Sequence, residues 1–352
     1  MKTLIIISLT WLLASCSGTG IKKDETVVFF PTSAHLNTNG NWSLPIHHWV
    51  LEKEENDLSR IFAKKALSEM LEGLGVSEKQ SKTPRTQERL MWFLVDNKRN
   101  KQVNIFLNNK LEQLNQTAAN GHANTTLLIA KSAFKPIPAK NMKKGGGWVS
   151  IKAQDKYNRD FSGEVQLIPE TGLSVISDID DTIKISEVLN KKALIKNIFA
   201  KPYKATFGFP AYYQQLQQQG AYFHYVSASP WQLYPSLQAF MQTHYPKGTI
   251  SLRNFRIKDS SLIKFLGSSQ DYKIKTISNI IKRYPKHQFI LIGDSGEHDP
   301  EVYTEIYRKF PNNIQSIQIR VVEGSDMNIE RFNKLFKVAP KALWKIFSAP
   351  EN

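Results

Sequence analysis

Cysteine is all but absent: Cys16 is the chain's single thiol. That excludes an intramolecular disulfide and any cysteine-built zinc site, so folding must rest on packed cores. Long hydrophobic runs are missing as well. The apolar stretch Leu4 to Ala14 is shorter than the ~20 residues a membrane-spanning helix requires. Acidic residues are the third shortage, 31 against 47 basic ones, which leaves a formal charge of +16. Such an excess draws a protein to anionic surfaces, either nucleic acid or anionic lipid. The basic residues concentrate at Lys140 to Lys144, Lys191 to Lys204 and Lys337 to Lys345, with no zinc-finger spacing and no RNP-like aromatic run beside them. The expected partner is therefore an anionic phospholipid membrane and not nucleic acid; nothing points to an obligate protein partner. What is present is ordinary globular material, 41% hydrophobic over 352 residues, enough for two domains.

The amino terminus has targeting grammar. Lys2, the apolar stretch and the small residues Ser15 to Gly18 predict a signal peptide over residues 1–15. Leu13-Ala14-Ser15-Cys16 resembles the bacterial lipobox, which implies lipidation of Cys16, and the serine after it resembles the signal for sorting to an outer membrane. The expected location is the cell envelope, lipid-anchored, at the outer membrane or facing the periplasm. Each buried CH₂ of an acyl chain contributes about 0.8 kcal/mol, so several chains tether firmly.

From Glu25 to Gln166, short apolar segments alternate with polar turns: Val27 to Phe30, Ile46 to Leu51, Leu90 to Val95, Val103 to Leu107 and Thr126 to Ile129. Broken by Asn-Gly at 39–40 and 120–121, this spacing predicts a β-rich, sandwich-like domain over 16–168. One helix interrupts it from Leu58 to Leu74, where Ile61, Phe62, Leu67, Met70 and Leu71 recur at helical spacing. His47 and His48 take opposite faces of a strand with no third ligand in view, and are expected to be ordinary strand histidines. Trp42, Trp49 and Trp92 are expected in the core.

After the turn at Ile168 to Gly172 the grammar changes. Strands near Leu173 to Ile179, Tyr222 to Ser227, Phe289 to Ile292 and Ile317 to Val322 alternate with helices near Pro210 to Gln219, Pro230 to His244, Asp271 to Arg283 and Pro300 to Lys309. That alternation predicts an α/β fold with a parallel sheet over 169–352, where ligands gather beyond the carboxyl ends of the strands.

Four segments place polar residues at those ends. Val175 to Lys184 is an apolar strand ending in Asp178 and Asp180, alternate residues that address one volume and whose mutual repulsion suits a cation such as Mg²⁺. A carboxylate at Asp178 can attack a phosphoryl group in line, and Asp180 can protonate the leaving oxygen and then deprotonate water. Phe223 to Trp231 puts Ser227 at a second strand end as a phosphate ligand, with Ser229 capping a helix that starts at Pro230. Tyr272 to Lys275 opens a helix from which Lys273 or Lys275 steadies the nucleophile and the phosphoryl charge. Phe289 to Pro300 ends in Asp294, a Mg²⁺ ligand, and Asp299, which holds a metal-bound water or orients the lysine. Asp178, Asp180 and Asp294 then balance Mg²⁺ and one lysine.

Together these segments resemble the four motifs of the haloacid dehalogenase superfamily of phosphohydrolases. More narrowly, Ser177 to Lys184, Val226 to Trp231 and Gly293 to Glu301 look like the blocks of the actin-patch-type phosphatidate phosphatase catalytic domain, over roughly Gly172 to Val321, with weaker likeness in Ile46 to Val50 and Gly163 to Pro169. The resemblance implies a phosphoric monoester hydrolase on a HAD-like Rossmannoid sheet, with Asp178 as nucleophile, Asp180 as acid/base, Ser227 on the phosphate, Lys273 as the stabilising lysine and Asp294 on Mg²⁺. Choosing Lys273 over Lys275 rests on the family's spacing to Tyr284-Pro285. Thr182 either fixes the turn or touches substrate, and Asp181 has no assigned role. His298 is read as a turn histidine or a leaving-group contact. Between the first two motifs, Ile185 to Gly220 leaves room only for a small cap, on which Leu189, Ile195, Phe199, Phe207 and Phe209 are either core or a lipid-facing rim. The expected reaction is phosphatidate hydrolysis to diacylglycerol through an aspartyl-phosphate. The alternatives are the same chemistry on a soluble or cell-envelope phosphoester, and a non-catalytic lipoprotein that binds anionic lipid.

Overall fold

The computed structural model describes residues 19–53, 58–134, 147–254, 270–325 and 329–350. The signal peptide, Cys16 and the Lys140 to Lys144 cluster lie outside the described residues. Among those described, no helix is long and apolar enough to cross a membrane.

The first part of the chain is β-rich. Its strands are β1 (Glu25–Phe30), β2 (Thr32–Leu36), β3 (Trp42–Glu52), β4 (Asp96–Asn97), β5 (Asn104–Leu107), β6 (Lys110–Gln113), β7 (His122–Ile129), β8 (Trp148–Gln154) and β9 (Asp160–Leu167). They join in the order β1-β3-β2-β9-β8-β5-β6, with β4 and β7 also paired to β3. β2 turns the corner, antiparallel to β3 and parallel to β9. The two halves close over one core, where Val27, Leu44, Ile46 and Val50 meet Ile105, Ile151, Val165 and Leu167. Trp42, Trp49 and Trp92 are buried. His47 and His48 do face opposite ways: His47 Nε2 pairs with His122 Nδ1 at 3.0 Å, while His48 packs beside Phe29.

Three helices interrupt this part: α1 (Leu58–Gly73), α2 (Glu78–Ser81) and α3 (Pro84–Met91). Ser77 and Thr83 cap the last two through their hydroxyls. α1 departs from its amphipathic expectation. Its carboxyl end buries Leu71, but Leu58, Ile61 and Phe62 are 71%, 51% and 70% exposed, because no core lies beneath the helix's first turns.

The second part is a six-stranded, fully parallel sheet. Its strands β10 (Thr171–Ser177), β11 (Tyr222–Pro230), β12 (Thr249–Arg253), β13 (Lys286–Asp294), β14 (Ile314–Arg320) and β15 (Trp344–Phe347) lie in the order β12-β11-β10-β13-β14-β15. Helices cover both faces, so central strands read as continuous apolar runs. In β10, Val175 enters one core with Tyr225 and Ile292, and Ile176 the other with Leu291 and Ile317. The covering elements are α4 (Lys191–Ile195), α5 (Phe209–Gln218), α6 (Tyr234–His244), α7 (Gln270–Arg283), α8 (Asp299–Lys309) and α9 (Ile329–Leu335). β10 is the switch point: the chain leaves it to β11 on one side and, later, to β13 on the other, which opens a crevice at their carboxyl ends. The first of the two cores is shared across the molecule, since Phe30, Trp49 and Leu51 pack in it with Val175, Phe223 and Trp231.

Candidate active site

Three adjacent strands deliver the polar residues. β10 runs into Asp178, whose N–H still bonds Ile292 O at 2.9 Å, so the carboxylate emerges between β10 and β13. Lys273, in the first turn of α7, is buried and reaches in from above; Lys275 is exposed. The ammonium of Lys273 lies 2.7 Å from Asp178 Oδ1, 2.6 Å from Asp299 Oδ1 and 3.0 Å from Glu297 Oε2. Oδ2 of Asp178 is buried and has no hydrogen-bond partner among the described residues. Burial drives the Asp178 carboxyl well above the usual range, against the pull of Lys273. Burial also works against the Lys273 charge, but Asp178, Asp299, Glu297 and Asp294 together raise it well above an ordinary lysine.

Asp180 is clamped from both sides. Its Oδ1 meets Lys184 Nζ at 2.8 Å and accepts from Ser186 Oγ at 2.7 Å; its Oδ2 accepts from Ser227 at 3.0 Å and Ser229 at 2.8 Å. Burial alone would raise this carboxyl, yet Lys184 and the hydroxyls outweigh it and hold Asp180 below the usual carboxylate range. Ser229 is thus not a helix cap. β11 continues to Pro230, a 3₁₀ turn follows at Trp231–Leu233, and neither it nor α6 has a side-chain cap.

Asp181 organises the turn. Its φ is +53°, and its carboxylate accepts N–H bonds from Ser186, Glu187 and Val188 at 2.8, 2.9 and 2.6 Å. Thr182 is buried and donates to Asp294 Oδ2 at 3.2 Å. Asp294 Oδ1 accepts from the N–H groups of Gly296 and Glu297 at 2.7 and 3.2 Å. Burial, then Asp299 and Glu297, push the Asp294 carboxyl well up. Gly293 is required by space: a Cβ there would sit 2.4 Å from Asp299 Oδ2.

The charge balance differs from the one read in sequence. Lys184 neutralises Asp180, which leaves four carboxyl groups, Asp178, Asp294, Glu297 and Asp299, facing the single ammonium of Lys273. Asp178, Glu297 and Asp299 each bring one oxygen within 4.8 Å of the others, and the ammonium of Lys273 pairs with all three. Asp180 and Asp294 stand outside this group. Lys184 and Glu297 sit inside the motifs, and Ser186 just past the first of them, yet none has a role in the sequence reading; the alternation of charge in Asp180 to Lys184 is the one available signal.

The crevice beside Asp180 is about 20 Å³, walled by Val188, Leu194, Ile198, Ser227, Ser229 and Glu297. On the segment after Lys184, Ile195, Phe199 and Phe209 are core, whereas Leu189 and Phe207 are 49% and 84% exposed. His298 is exposed, 4.0 Å from Glu301.

The solved structures the chain resembles include a ferredoxin-NADP+ reductase mutant from Plasmodium falciparum, 10% identical over 85% of this chain and 96% of that one; at a TM-score of 0.21 the superposition carries no argument. By sequence the likeness is specific. Over 175 residues, 48% of this chain and 28% of the other, it is 31% identical to an uncharacterised protein of Schizosaccharomyces pombe. Over 158 residues it is 39% identical to the phosphatidate phosphatase APP1 of Saccharomyces cerevisiae, covering 44% of this chain and 27% of that protein. The chain thus spans little more than a quarter of the length of these relatives. Residues 173–321, the stretch that holds every group of the site, match the family described as phosphatidate phosphatase APP1, catalytic domain.

Proposed function

We propose that this chain is a phosphoric monoester hydrolase of the phosphatidate phosphatase type, converting phosphatidate to diacylglycerol and phosphate. The observation that carries the reading is the Asp178 carboxylate. It is buried at a strand end, held on one oxygen by Lys273 and free on the other, in a segment similar to a phosphatase catalytic domain.

Asp178 Oδ2 attacks phosphorus while the bond to the diacylglycerol oxygen breaks, and that oxygen takes a proton from Asp180. Asp180 then removes a proton from water as the water cleaves the aspartyl-phosphate, which restores both carboxyl groups and releases phosphate. Ser227 exchanges its bond to Asp180 for one to the phosphoryl group, and Lys273 keeps Asp178 aimed and offsets developing charge. Thr182, tied to Asp294, fixes the turn. Four carboxyl groups, three of them buried, against one ammonium fit a divalent cation. Mg²⁺ held by Asp178, Asp180 and Asp294 would supply neutralisation of phosphate charge when bound.

With this goes a HAD-like fold over residues 169–352 in which residues 185–220 form the small cap, joined to the β-rich part through the shared core. A lipid anchor at Cys16 would keep the site beside an anionic phospholipid membrane in the cell envelope. The test is phosphate release from phosphatidate vesicles and from a panel of soluble phosphoesters, with and without Mg²⁺. Phosphatidate turnover that needs Mg²⁺ and falls about 10³-fold or more in Asp178→Asn is expected. Full activity in Asp178→Asn rules out the covalent step, turnover of soluble esters alone moves the substrate, and no release from anything leaves lipid binding as the function.

A further inference from the structure

The ammonium of Lys273 is fully subscribed. It hydrogen-bonds Asp299 Oδ1 at 2.6 Å and Glu297 Oε2 at 3.0 Å and forms an ion pair with Asp178 Oδ1 at 2.7 Å. A lysine has three N–H groups, so three carboxylate oxygens this close leave none for a further acceptor. If Lys273 is to hold a phosphoryl oxygen, one of the three must leave it.

Asp178 is not the one, because the ammonium aims the nucleophile through Oδ1. Asp299 is pinned at both oxygens: its Oδ2 accepts from the Asp294 N–H at 3.2 Å, and the whole side chain is packed against Gly293, where a Cβ would stand 2.4 Å from that oxygen. Glu297 differs from both. Its contact with the ammonium is the longest of the three, and its side chain is 15% exposed where those of Asp178 and Asp299 are 1% and 0% exposed. A glutamate also has one torsion more than an aspartate with which to swing aside.

The rest of Glu297 favours such a swing. Its side chain lines the crevice that Asp180, Ser227 and Ser229 also face, which is where a phosphoryl group bound by Ser227 would lie. Its backbone is anchored separately, the N–H donating to Asp294 Oδ1 at 3.2 Å, so the carboxylate can leave Lys273 without unmaking the turn. To an ammonium, a carboxylate oxygen and a phosphoryl oxygen are the same kind of charged acceptor. The two also repel each other, so only one of them occupies Lys273 at a time.

We propose that Glu297 is the exchangeable partner of Lys273: it holds the position of a phosphoryl oxygen on the ammonium, yields it to an entering phosphomonoester and retakes it as inorganic phosphate leaves. Glu297 is then a positioning residue that weakens phosphate binding in order to release product. This deepens the phosphatase reading and rests on it, and its consequence runs against the usual one, since removing a polar side chain from the site should tighten binding there.

The experiment compares the parent with Glu297→Gln, which keeps the shape and drops the charge, and with Glu297→Ala. Inorganic phosphate is titrated into each by calorimetry with Mg²⁺ present, and its Ki is measured alongside KM and kcat for phosphatidate. Kd and Ki for phosphate about fivefold or more lower in both variants, with KM falling alongside and no gain in kcat, are expected. Equal urea midpoints for parent and Glu297→Gln show that the fold is kept. Phosphate binding that is unchanged or weaker in both variants overturns the exchange and leaves the phosphatase reading standing. Weaker phosphate binding together with a higher Mg²⁺ requirement overturns it by making Glu297 a metal ligand. Phosphate bound more tightly by the variants, with no turnover of any phosphoester by the parent, keeps the exchange and removes the phosphatase reading.

Discussion

Asp180 spends both oxygens on four partners, although a proton carrier must at some point give one of them up. Lys184 and Ser186 hold Oδ1, and Ser227 and Ser229 hold Oδ2. The arrangement stabilises the carboxylate, so the resting form of this side chain is the base. Phosphate entering at Ser227 withdraws one donor and adds negative charge nearby; both changes raise the carboxyl toward protonation. Lys184 is then the brake. Lys184→Met removes the cation beside Oδ1, raises the Asp180 carboxyl and moves the descending limb of the pH profile of kcat/KM to higher pH, with a lower maximum. The profile measured on phosphatidate from pH 4 to 9 checks this, and a limb that stays in place means Asp180 is not the acid. Lys184 and Glu297 also show where reading a sequence stops. Asp178, Asp180, Ser227, Lys273 and Asp294 are legible because each terminates an apolar run or opens a helix. Pairing of Lys184 with Asp180 depends on a backbone turn at positive φ in Asp181, and no periodicity predicts it.

Among the elements, those buried on two sides were the most legible. β13 carries the unbroken apolar run Phe289 to Ile292 and β10 the run Leu173 to Ile176 interrupted by Ser174, and with both faces covered they pair Val175 against Ile290 and Ser177 against Ile292. Edge strands β12 and β15 are short and polar on one side, so their pattern resembles a loop; neither was expected. The position of α1 is legible and its exposure is not, because amphipathic spacing tells which residues align and not whether a core lies under them. The junction of β13 and α8 is fixed by steric room at Gly293. An alanine there puts its Cβ 2.4 Å from Asp299 Oδ2 and 2.7 Å from Asp299 Cβ, deep in a packed layer. Gly293→Ala is expected to cost about 1–3 kcal/mol of stability and to displace Asp299 from Lys273, with a fall in kcat. Gly296→Ala meets its nearest neighbour only at 3.0 Å, Val188 Cγ2, and serves as the milder comparison. Denaturant titration and turnover of the two variants decide it; a Gly293→Ala protein as stable and active as the parent removes the steric argument.

At the scale of the molecule, the β-rich and α/β parts are not free of one another, since one core runs through both and Tyr284 of the second part donates to Ala34 O of the first at 3.2 Å. Histidines are buried along this join. Burial holds His48 at about 4, and His122 and His224 at about 3, with Arg283 adding to the effect on His224 and His48 to that on His122. Each is neutral in the folded state and titrates near 6.5 when unfolded. Their contribution to stability is therefore complete above about pH 6.5 and is lost as pH falls toward 3–4, where the unfolded chain binds the protons that the folded chain refuses. At pH 5 the loss is about 2 kcal/mol for each such histidine. Asp178 and Asp294 work in the opposite sense, because their raised carboxyl groups take up protons in the folded state as pH falls. Comparing the parent with His224→Gln cancels that contribution. His224 is the better probe, buried against Tyr284 and bonded through Nδ1 to Thr249 Oγ1 at 2.9 Å, a contact that glutamine's amide can replace. Unfolding free energies from urea titrations at pH 7 and pH 5 should fall more steeply for the parent than for His224→Gln, by about 2 kcal/mol. Parallel falls in the two proteins would show that His224 titrates alike in both states, and the account of a neutral, desolvated histidine at the join would be wrong.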